Sequence, residues 1–276
     1  MAKNAETFEE RVEKKFVVPL AKMRSIVLDP NGPFIQRFEF DYIDDSYYNI
    51  MENVYFDDPD LSSYHEHVEG KPVRTKLRLR RYSPDGLPGD AVYFEVKTKK
   101  EGKTFKSRVK LHPAWVRPFL KDKFLPKDEF YSFNSDMKEK KIEKTMTEII
   151  DLVHGHGFIP MLKSNYMRHA FKLRESDKVR LTMDRDIQCT RLFYGADPKL
   201  PYDIGLNDGK NVIVEVKVSD PAFMYLMEEF KGQFGESISV SKYCSGIYQT
   251  KNSFLQSDRD RTLHILESYK QKKTSA

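Results

Sequence analysis

Along much of the chain, apolar residues occupy every second position and charged residues the positions between. This is the period expected of a strand whose two faces differ. In 11 to 18, Val12, Phe16 and Val18 share one parity while Arg11, Glu13 and Lys15 share the other. In 74 to 82, Leu77 and Leu79 oppose Arg74, Lys76, Arg78 and Arg80. In 92 to 99, Val92, Phe94 and Val96 oppose Glu95, Lys97 and Lys99; in 104 to 111, Phe105, Val109 and Leu111 oppose Lys106, Arg108 and Lys110. Pro84-Asp85-Gly86 with Pro88-Gly89, and then Glu101-Gly102-Lys103, supply turns that make these three segments hairpin partners.

The second half repeats the theme. Met167 and Phe171 oppose Tyr166 and Arg168, and Val179, Leu181 and Met183 oppose Lys178, Arg180 and Asp184. After an Asn207-Asp208-Gly209 turn, Val212, Val214, Val216 and Val218 oppose Ile213, Glu215 and Lys217. A further strand over Asn53 to Asp57 brings the expected total to about eight. Ile142, Met146, Ile149, Ile150 and Val153 mark a helical stripe ending near Gly155 and Gly157. Asp220 can cap a helix opened by Pro221, with Phe223, Leu226, Met227 and Phe230 buried. Leu263, Ile265 and Leu266 predict a C-terminal helix over about 252–272, before a polar tail ending at Ala276.

A charged strand face is ordinarily a solvated one, mixing Ser, Thr and both signs of charge. Here one parity after another is dominated by Lys and Arg with a few Glu among them. About eight strands can close a barrel whose interior holds side chains or one slender ligand. The expected fold is therefore α+β: an antiparallel eight-stranded β tunnel barrel with a charged lumen, flanked by α-helices. The chain reads as one such domain of 276 residues, with its core over about 10–250.

Composition narrows the partners. With 39% hydrophobic and 32% charged residues the chain can bury a core and still present a charged cavity, and its formal net charge of +5 favours polyanions. Cations packed together repel and lose hydration, which a chain of phosphates would relieve. Arg binds phosphate oxygens with two hydrogen bonds and Lys acts as a point charge. Duplex nucleic acid is too wide for such a lumen. Two cysteines, Cys189 and Cys244, frame neither a disulfide scaffold nor a zinc site. The N-terminus has no apolar leader and no stretch approaches 18 apolar residues. A soluble, cytoplasmic chain is expected, with any membrane role supplied by a partner.

Glu13, Glu95 and Glu215 each precede a Lys on the same face by two residues. Each either pairs with that Lys or ligates a hard cation, Mg²⁺ or Mn²⁺, that also takes phosphate oxygens. Tyr166 shares a face with Arg168 and either hydrogen-bonds phosphate or packs. His65 with His67, and His154 with His156, lack a third partner in sequence and read as surface residues. No Walker-type loop and no Gly-x-Ser-x-Gly occurs.

The ordered runs Val12-Glu13-Lys14-Lys15-Phe16-Val17, Val54-Tyr55-Phe56-Asp57, Lys76-Leu77-Arg78-Leu79-Arg80, Phe94-Glu95-Val96-Lys97, Asn165-Tyr166-Met167-Arg168, Val214-Glu215-Val216-Lys217 and Ser241-Lys242-Tyr243 resemble the catalytic domain of the vacuolar transporter chaperone (VTC) family. That family belongs to the triphosphate tunnel metalloenzymes. The resemblance implies an antiparallel tunnel that moves the terminal phosphate of ATP onto inorganic polyphosphate, with Mn²⁺ (or Mg²⁺) as cofactor. It implies phosphate ligands at Lys15, Arg78, Arg80, Lys97 and Arg168, with Lys106 or Arg108 from the next strand. Further contacts are implied at Tyr166, Lys217, Ser241 and Lys242, and a metal-binding carboxylate at Glu215. Arg78, Arg80, Lys97, Arg168 and Lys217 make the expected catalytic set; Lys76 and Arg180, from the same charged parities, join the substrate-binding residues.

Two departures bear on activity. The superfamily's hydrolases open with Glu-x-Glu-x-Lys, where this chain has Arg11, Glu13 and Lys15. Losing the first carboxylate weakens a hydrolase-type metal site and favours the polymerase branch. The phosphate-sensing domain and membrane helices of eukaryotic members are also missing, so a bare catalytic module is expected. A triphosphate tunnel hydrolase and a noncatalytic polyphosphate-binding module are the alternatives.

Overall fold

The computed structural model describes residues 12–41, 46–192, 202–203 and 209–252. Among them the alternating segments form β1 (Val12–Pro19), β2 (Phe38–Phe40), β3 (Asn49–Asp57), β4 (Val73–Pro84), β5 (Val92–Lys100), β6 (Lys103–Leu111), β7 (Ile159–Leu173), β8 (Ser176–Arg191), β9 (Tyr202–Asp203) and β10 (Asn211–Val218). The helices are α1 (Leu20–Val27), α2 (Pro33–Arg37), α3 (Ser62–Val68), α4 (Pro113–Asp122), α5 (Lys127–Phe133), α6 (Glu139–Ile150), α7 (Tyr225–Phe234) and α8 (Lys242–Asn252). Hydrogen-bonded neighbours run β1-β10-β8-β7-β3-β4-β5-β6, with β2 pairing β7 and β9 pairing β8. The class is α+β, with an antiparallel sheet of eight strands and flanking helices, as the alternation predicts.

The described residues divide into two compact units, the first within Met1–Ile50, Tyr166–Ile187 and Gly205–Val240, the second within Met51–Asn165, Gln188–Ile204 and Ser241–Ala276. In the first, β10 pairs antiparallel with β1 on one side and β8 on the other, setting Phe16 opposite Val214 and Val214 opposite Met183. The even parity of β10, Val212 through Val218, is fully buried, with Phe230 and Phe234 of α7 in the same core. Asp220 accepts the Ala222 amide at 2.9 Å and caps a short 3-10 turn, Pro221–Phe223, that leads into α7. Phe223, expected in the core, is only half-buried, because it lies in that turn instead of on the inner face of α7.

In the second unit, β4, β5 and β6 form an antiparallel meander. Leu77 and Leu79 lie opposite Val96 and Phe94, and Phe94 lies opposite Val109. This apolar face packs with Phe119, Phe130, Ile142, Met146 and Ile149 of α4, α5 and α6. The helical stripe ends in a π turn, Asp151–Gly155, that buries Val153. Glu101 and Gly102 take φ of 52° and 79° between the paired Lys100 and Lys103, the positive angles of a two-residue hairpin turn. Phe105, placed on the apolar parity, is 48% exposed near that turn, opposite Thr98.

Arg11, Asn207, Asp208 and the helix expected over about 252–272 lie outside the described residues. Among those described, no helix is long and apolar enough to cross a membrane.

Candidate functional site

Period-two alternation places the charged parity of each strand on one face, and the register decides which charges meet. In the second unit the meander builds successive cross-strand rows on that face: Arg80, Tyr93 and Lys110; Arg78, Glu95 and Arg108; Lys76, Lys97 and Lys106. Like charges directly opposite one another cost stability in a sheet, so rows of cations need neutralising groups. Glu95 is the acid among them. It is 1% exposed, accepts a 2.7 Å hydrogen bond from Arg78 Nε, and lies 3.1 Å from Lys106 Nζ and 4.0 Å from Arg108 Nη1. Burial pushes this carboxyl up, yet Arg78, Arg80 and Lys106 outweigh burial and hold it at about 2.

Other cations of this face are held in place by aromatic and polar neighbours. Arg80 is buried and donates to Asn53 Oδ1 at 2.9 Å and to the Tyr82 hydroxyl at 3.4 Å. Arg108 lies over the Tyr93 ring, 4.9 Å from its centroid. Lys76 donates to Ser241 Oγ at 2.8 Å, and Ser241 Oγ in turn accepts the Cys244 amide at 3.4 Å, placing the hydroxyl at the start of α8 beside Lys242. Desolvation lowers the Lys106 ammonium; Glu95 opposes this while Arg78 and Arg80 add to it.

The α8 start is itself tied down from beneath. Tyr243 donates to Asp57 Oδ2 at 2.5 Å, and Asp57 also accepts the Ser63 and Tyr64 amides of α3. Burial raises both groups, so the phenol keeps its proton and the hydrogen bond. Sequence reading named Tyr243 only as part of a motif and gave Asp57 no role; a long-range pair has no local periodic signal.

The first unit carries a second cluster. Lys15 lies opposite Glu215 and Glu215 opposite Thr182, while Glu13 lies opposite Lys217 and Lys217 opposite Arg180. Glu215 is ion-paired with Lys217 and lies 3.7 Å from Lys15, which is also 3.4 Å from Glu13 and donates to the Val240 carbonyl at 3.2 Å. The two-residue Glu-to-Lys spacing thus forms pairs at Glu13 and Glu215, whereas Glu95 is gripped by Arg78, Lys106 and Arg108 of the neighbouring strands. Burial opposes ionisation of Glu215, but Lys217, Lys15 and Arg168 prevail and hold its carboxyl at about 2.

Arg168 makes a two-pronged bond to Asp184, Nε to Oδ1 at 2.6 Å and Nη2 to Oδ2 at 2.8 Å, and lies 5.5 Å from the Tyr166 ring centroid. Burial works against the guanidinium charge, but Asp184, with Tyr166 and Glu215, raises it well above the ordinary value. Arg180 reaches Asp41 Oδ2 at 2.8 Å.

Sequence reading put Asp184 on the charged parity without a role; it lies inside β8, opposite Ile213, and its local signal was an acid on a parity whose preceding charges are Lys178 and Arg180. Of the histidines paired in the sequence, His65 and His67 lie on α3, His154 bonds the Phe119 carbonyl at 3.2 Å, and His156 bonds the Asp151 carbonyl at 3.2 Å.

No group of three or more His, Cys, Asp or Glu side chains is gathered as a metal-ligand set among the described residues. A hard cation such as Mg²⁺ or Mn²⁺ needs only one or two protein carboxylates when it keeps waters and takes phosphate oxygens. Glu215, held ionised by its cations, and Glu13, which shares Lys15 with it, supply two such carboxylates. Glu95, enclosed by Arg78, Lys106 and Arg108, suits a dication less.

Comparison with known proteins agrees with these motifs. The chain is 26% identical to the vacuolar transporter chaperone complex subunit 4 of Schizosaccharomyces pombe over 150 residues, 51% of this chain and 20% of that protein. It is 24% identical to the protein of the same name from Trypanosoma brucei brucei over 223 residues, 71% of this chain and 28% of that one. The chain thus spans under a third of the length of either relative. Among solved structures, the PH1819 protein of Pyrococcus horikoshii OT3 aligns with a TM-score of 0.44 at 13% identity, covering 87% of this chain and 99% of that one. The VTC domain profile matches residues 10–251, which bears out the resemblance read from the ordered motifs: the chain belongs to the VTC domain family.

Proposed function

We propose that the chain is a polyphosphate polymerase that transfers the γ-phosphate of ATP to the end of an inorganic polyphosphate chain and releases ADP. The observation that carries this reading is the run of same-face rows on β4, β5 and β6, where Arg78, Arg80, Lys76, Lys97, Lys106 and Arg108 surround a single acid, Glu95. Such a face is matched to a ligand with one negative charge per repeat. Membership in the VTC family, with relatives named as chaperone complex subunits, supports the same reading and a working state in complex with other proteins, a membrane protein among them.

In the transfer, the bond from the γ-phosphorus to the β–γ bridging oxygen breaks and a bond to a terminal oxygen of the acceptor forms. ADP leaves with the bond's electron pair. The acceptor oxygen is already ionised at neutral pH, so no side chain has to remove a proton. The chain's contribution is positioning and charge. Arg78 and Arg80 are pre-aligned by Glu95 and Asn53, so they meet phosphate oxygens without reorganising. Lys97 and Lys106 supply point charges on the adjoining row. Ser241 and Lys242 are additional contacts in the same unit; within the first unit, taken by itself, Arg168, fixed by Asp184, and Lys15 and Lys217, fixed by Glu215, offer cations to phosphate together with Tyr166 and Arg180. Glu215, with Glu13, would hold Mn²⁺ or Mg²⁺; when bound, the ion supplies charge to the phosphoryl oxygens.

Incubating the purified chain with ATP and Mn²⁺, then resolving products by gel and by phosphate release, tests the reading. Long phosphate chains with stoichiometric ADP are expected, and Glu215→Gln should lower turnover on the order of 100-fold or more while the fold persists. Release of free phosphate without chains would replace the polymerase with a hydrolase. Tight polyphosphate binding without turnover would leave a binding module.

A further inference from the structure

The same-face rows do not stop at Lys76, Lys97 and Lys106. The register continues one step toward the β5–β6 turn, placing Arg74 opposite Lys99 and Lys99 opposite Thr104. At about 3.4 Å per residue, each row lies ~6.8 Å from the last, so four rows span about 20 Å along the strands. Thr75 and Thr98, whose hydroxyls meet at 3.2 Å, mark the other face between these rows. Arg74 and Lys99 are therefore on the face that carries Arg78 and Lys97.

The balance of charge changes along this track. The row at Arg78 contains Glu95, whereas the rows at Lys76 and at Arg74 contain no acid. Among the described residues the side chains of Arg74 and Lys99 form no hydrogen bond or ion pair, although the two stand directly opposite one another in the ladder. Arg74 is half-buried and Lys99 exposed. Neighbouring acids are engaged elsewhere or at the tip: Glu66 accepts the Thr75 amide at 3.4 Å, and Glu101 occupies the turn. Like charges directly opposite one another cost stability in a sheet unless an anion relieves them. Cation facing cation, in line with rows already assigned to phosphate, fits an extended polyanion.

We propose that Arg74 and Lys99 form an outlying subsite that grips the polyphosphate chain one row beyond the groups that hold a short phosphate. The subsite discriminates by chain length: tripolyphosphate is held by the inner rows, while a long chain also reaches Arg74 and Lys99. This inference rests on the reading of β4–β6 as a polyphosphate-binding face. It also makes the subsite a determinant of how long a product stays bound.

Equilibrium binding of tripolyphosphate and of a long-chain polyphosphate preparation to wild type and to the double variant Arg74→Ala/Lys99→Ala tests it. Loss of two charge-assisted contacts should weaken long-chain binding about tenfold or more. Tripolyphosphate binding should fall severalfold less than long-chain binding, since it does not touch Arg74 or Lys99 and feels them only through partly screened attraction, and the difference should widen as salt is added. The exchange Arg74→Lys/Lys99→Arg, which keeps both charges, should restore most of the long-chain affinity. Equal losses for both probes, or no loss for the long chain, would overturn the subsite while leaving the polyphosphate reading intact. A wild-type chain that binds neither probe would overturn the underlying reading as well.

Discussion

The two charged clusters are balanced in opposite ways. In the first unit Lys15, Lys217, Arg168 and Arg180 stand against Glu13, Glu215, Asp184 and Asp41. In the second, Lys76, Arg78, Arg80, Lys97, Lys106 and Arg108 share a face on which β4–β6 place one acid, Glu95. A neutralised cluster is stable by itself, so a phosphate entering it must compete with carboxylates already bound. An under-neutralised one is relieved by an anion. The first cluster is therefore suited to fixing geometry and exchanging carboxylate ligands, and the second to capturing a polyanion.

The sharpest way to break this contrast is to remove one half of a balanced pair. Arg168→Ala leaves Asp184, which is 1% exposed, without its two-pronged partner; unfolding should become easier by about 3–5 kcal/mol in denaturant titrations. Arg168→Lys should recover only part of this, since an ammonium cannot reproduce the paired geometry. If Arg168→Ala unfolds like the wild type, the first cluster is not the rigid element described.

Glu95→Gln tests the second cluster through pH. A carboxyl held at about 2, against an ordinary 4.5, favours the folded state by about 3 kcal/mol at neutral pH. Because its folded value is depressed, that contribution is complete above the unfolded value and drains as pH falls from about 4.5 toward 2. The variant should be less stable at pH 7, and its stability gap to wild type should narrow with acidification over that window. Tripolyphosphate should raise the melting temperature of Glu95→Gln more than that of wild type, because the ligand takes over the lost neutralisation. A pH-independent gap would remove Glu95 from its assigned place.

Smaller effects sharpen the contrast. A methyl group on Gly246 of α8 would lie 2.5 Å from Leu162 Cδ2 and 3.0 Å from Cys189 Sγ, so Gly246→Ala must displace one of these buried side chains or the helix that presents Ser241 to Lys76. A destabilisation of about 1–3 kcal/mol is expected, with weakened tripolyphosphate binding; unchanged affinity would show that the Ser241 contact is dispensable. Lys14, whose Nζ is 3.3 Å from the exposed Glu228, should change stability by under about 1 kcal/mol when replaced by Ala, in thermal melts across salt concentration.

Much of the fold was legible because alternation is local. The valines of β10 and the cations of β4 to β6 could be assigned to opposite faces from parity alone, and the Glu101-Gly102 turn tied the register of β5 to that of β6. What parity could not reveal was which charge faces which across strands from distant segments. Glu95 could be matched to Lys97 by spacing, yet its close partners include Arg78 and Lys106, and Arg168 finds Asp184 across the β7–β8 pairing. Lys14 falls on the apolar parity of β1 and escapes by reaching Glu228 on α7, a choice set by packing. Helix α8 has a weak apolar stripe, and it is anchored by Tyr243 on Asp57, a pair separated by 186 positions. Such contacts depend on the assembled unit.

If the basic face of β4, β5 and β6 recognises condensed phosphate by arrangement, net charge alone will not reproduce its affinity. Tripolyphosphate affinity should be measured for wild type, for Arg78→Ala/Lys97→Ala, and for Arg117→Ala/Lys121→Ala, which removes the same charge from the exposed side of α4. At physiological ionic strength the first variant should bind about tenfold or more weakly, and the second within about twofold of wild type. Equal losses in the two variants would mean that net charge, and not the arrangement of this face, governs binding.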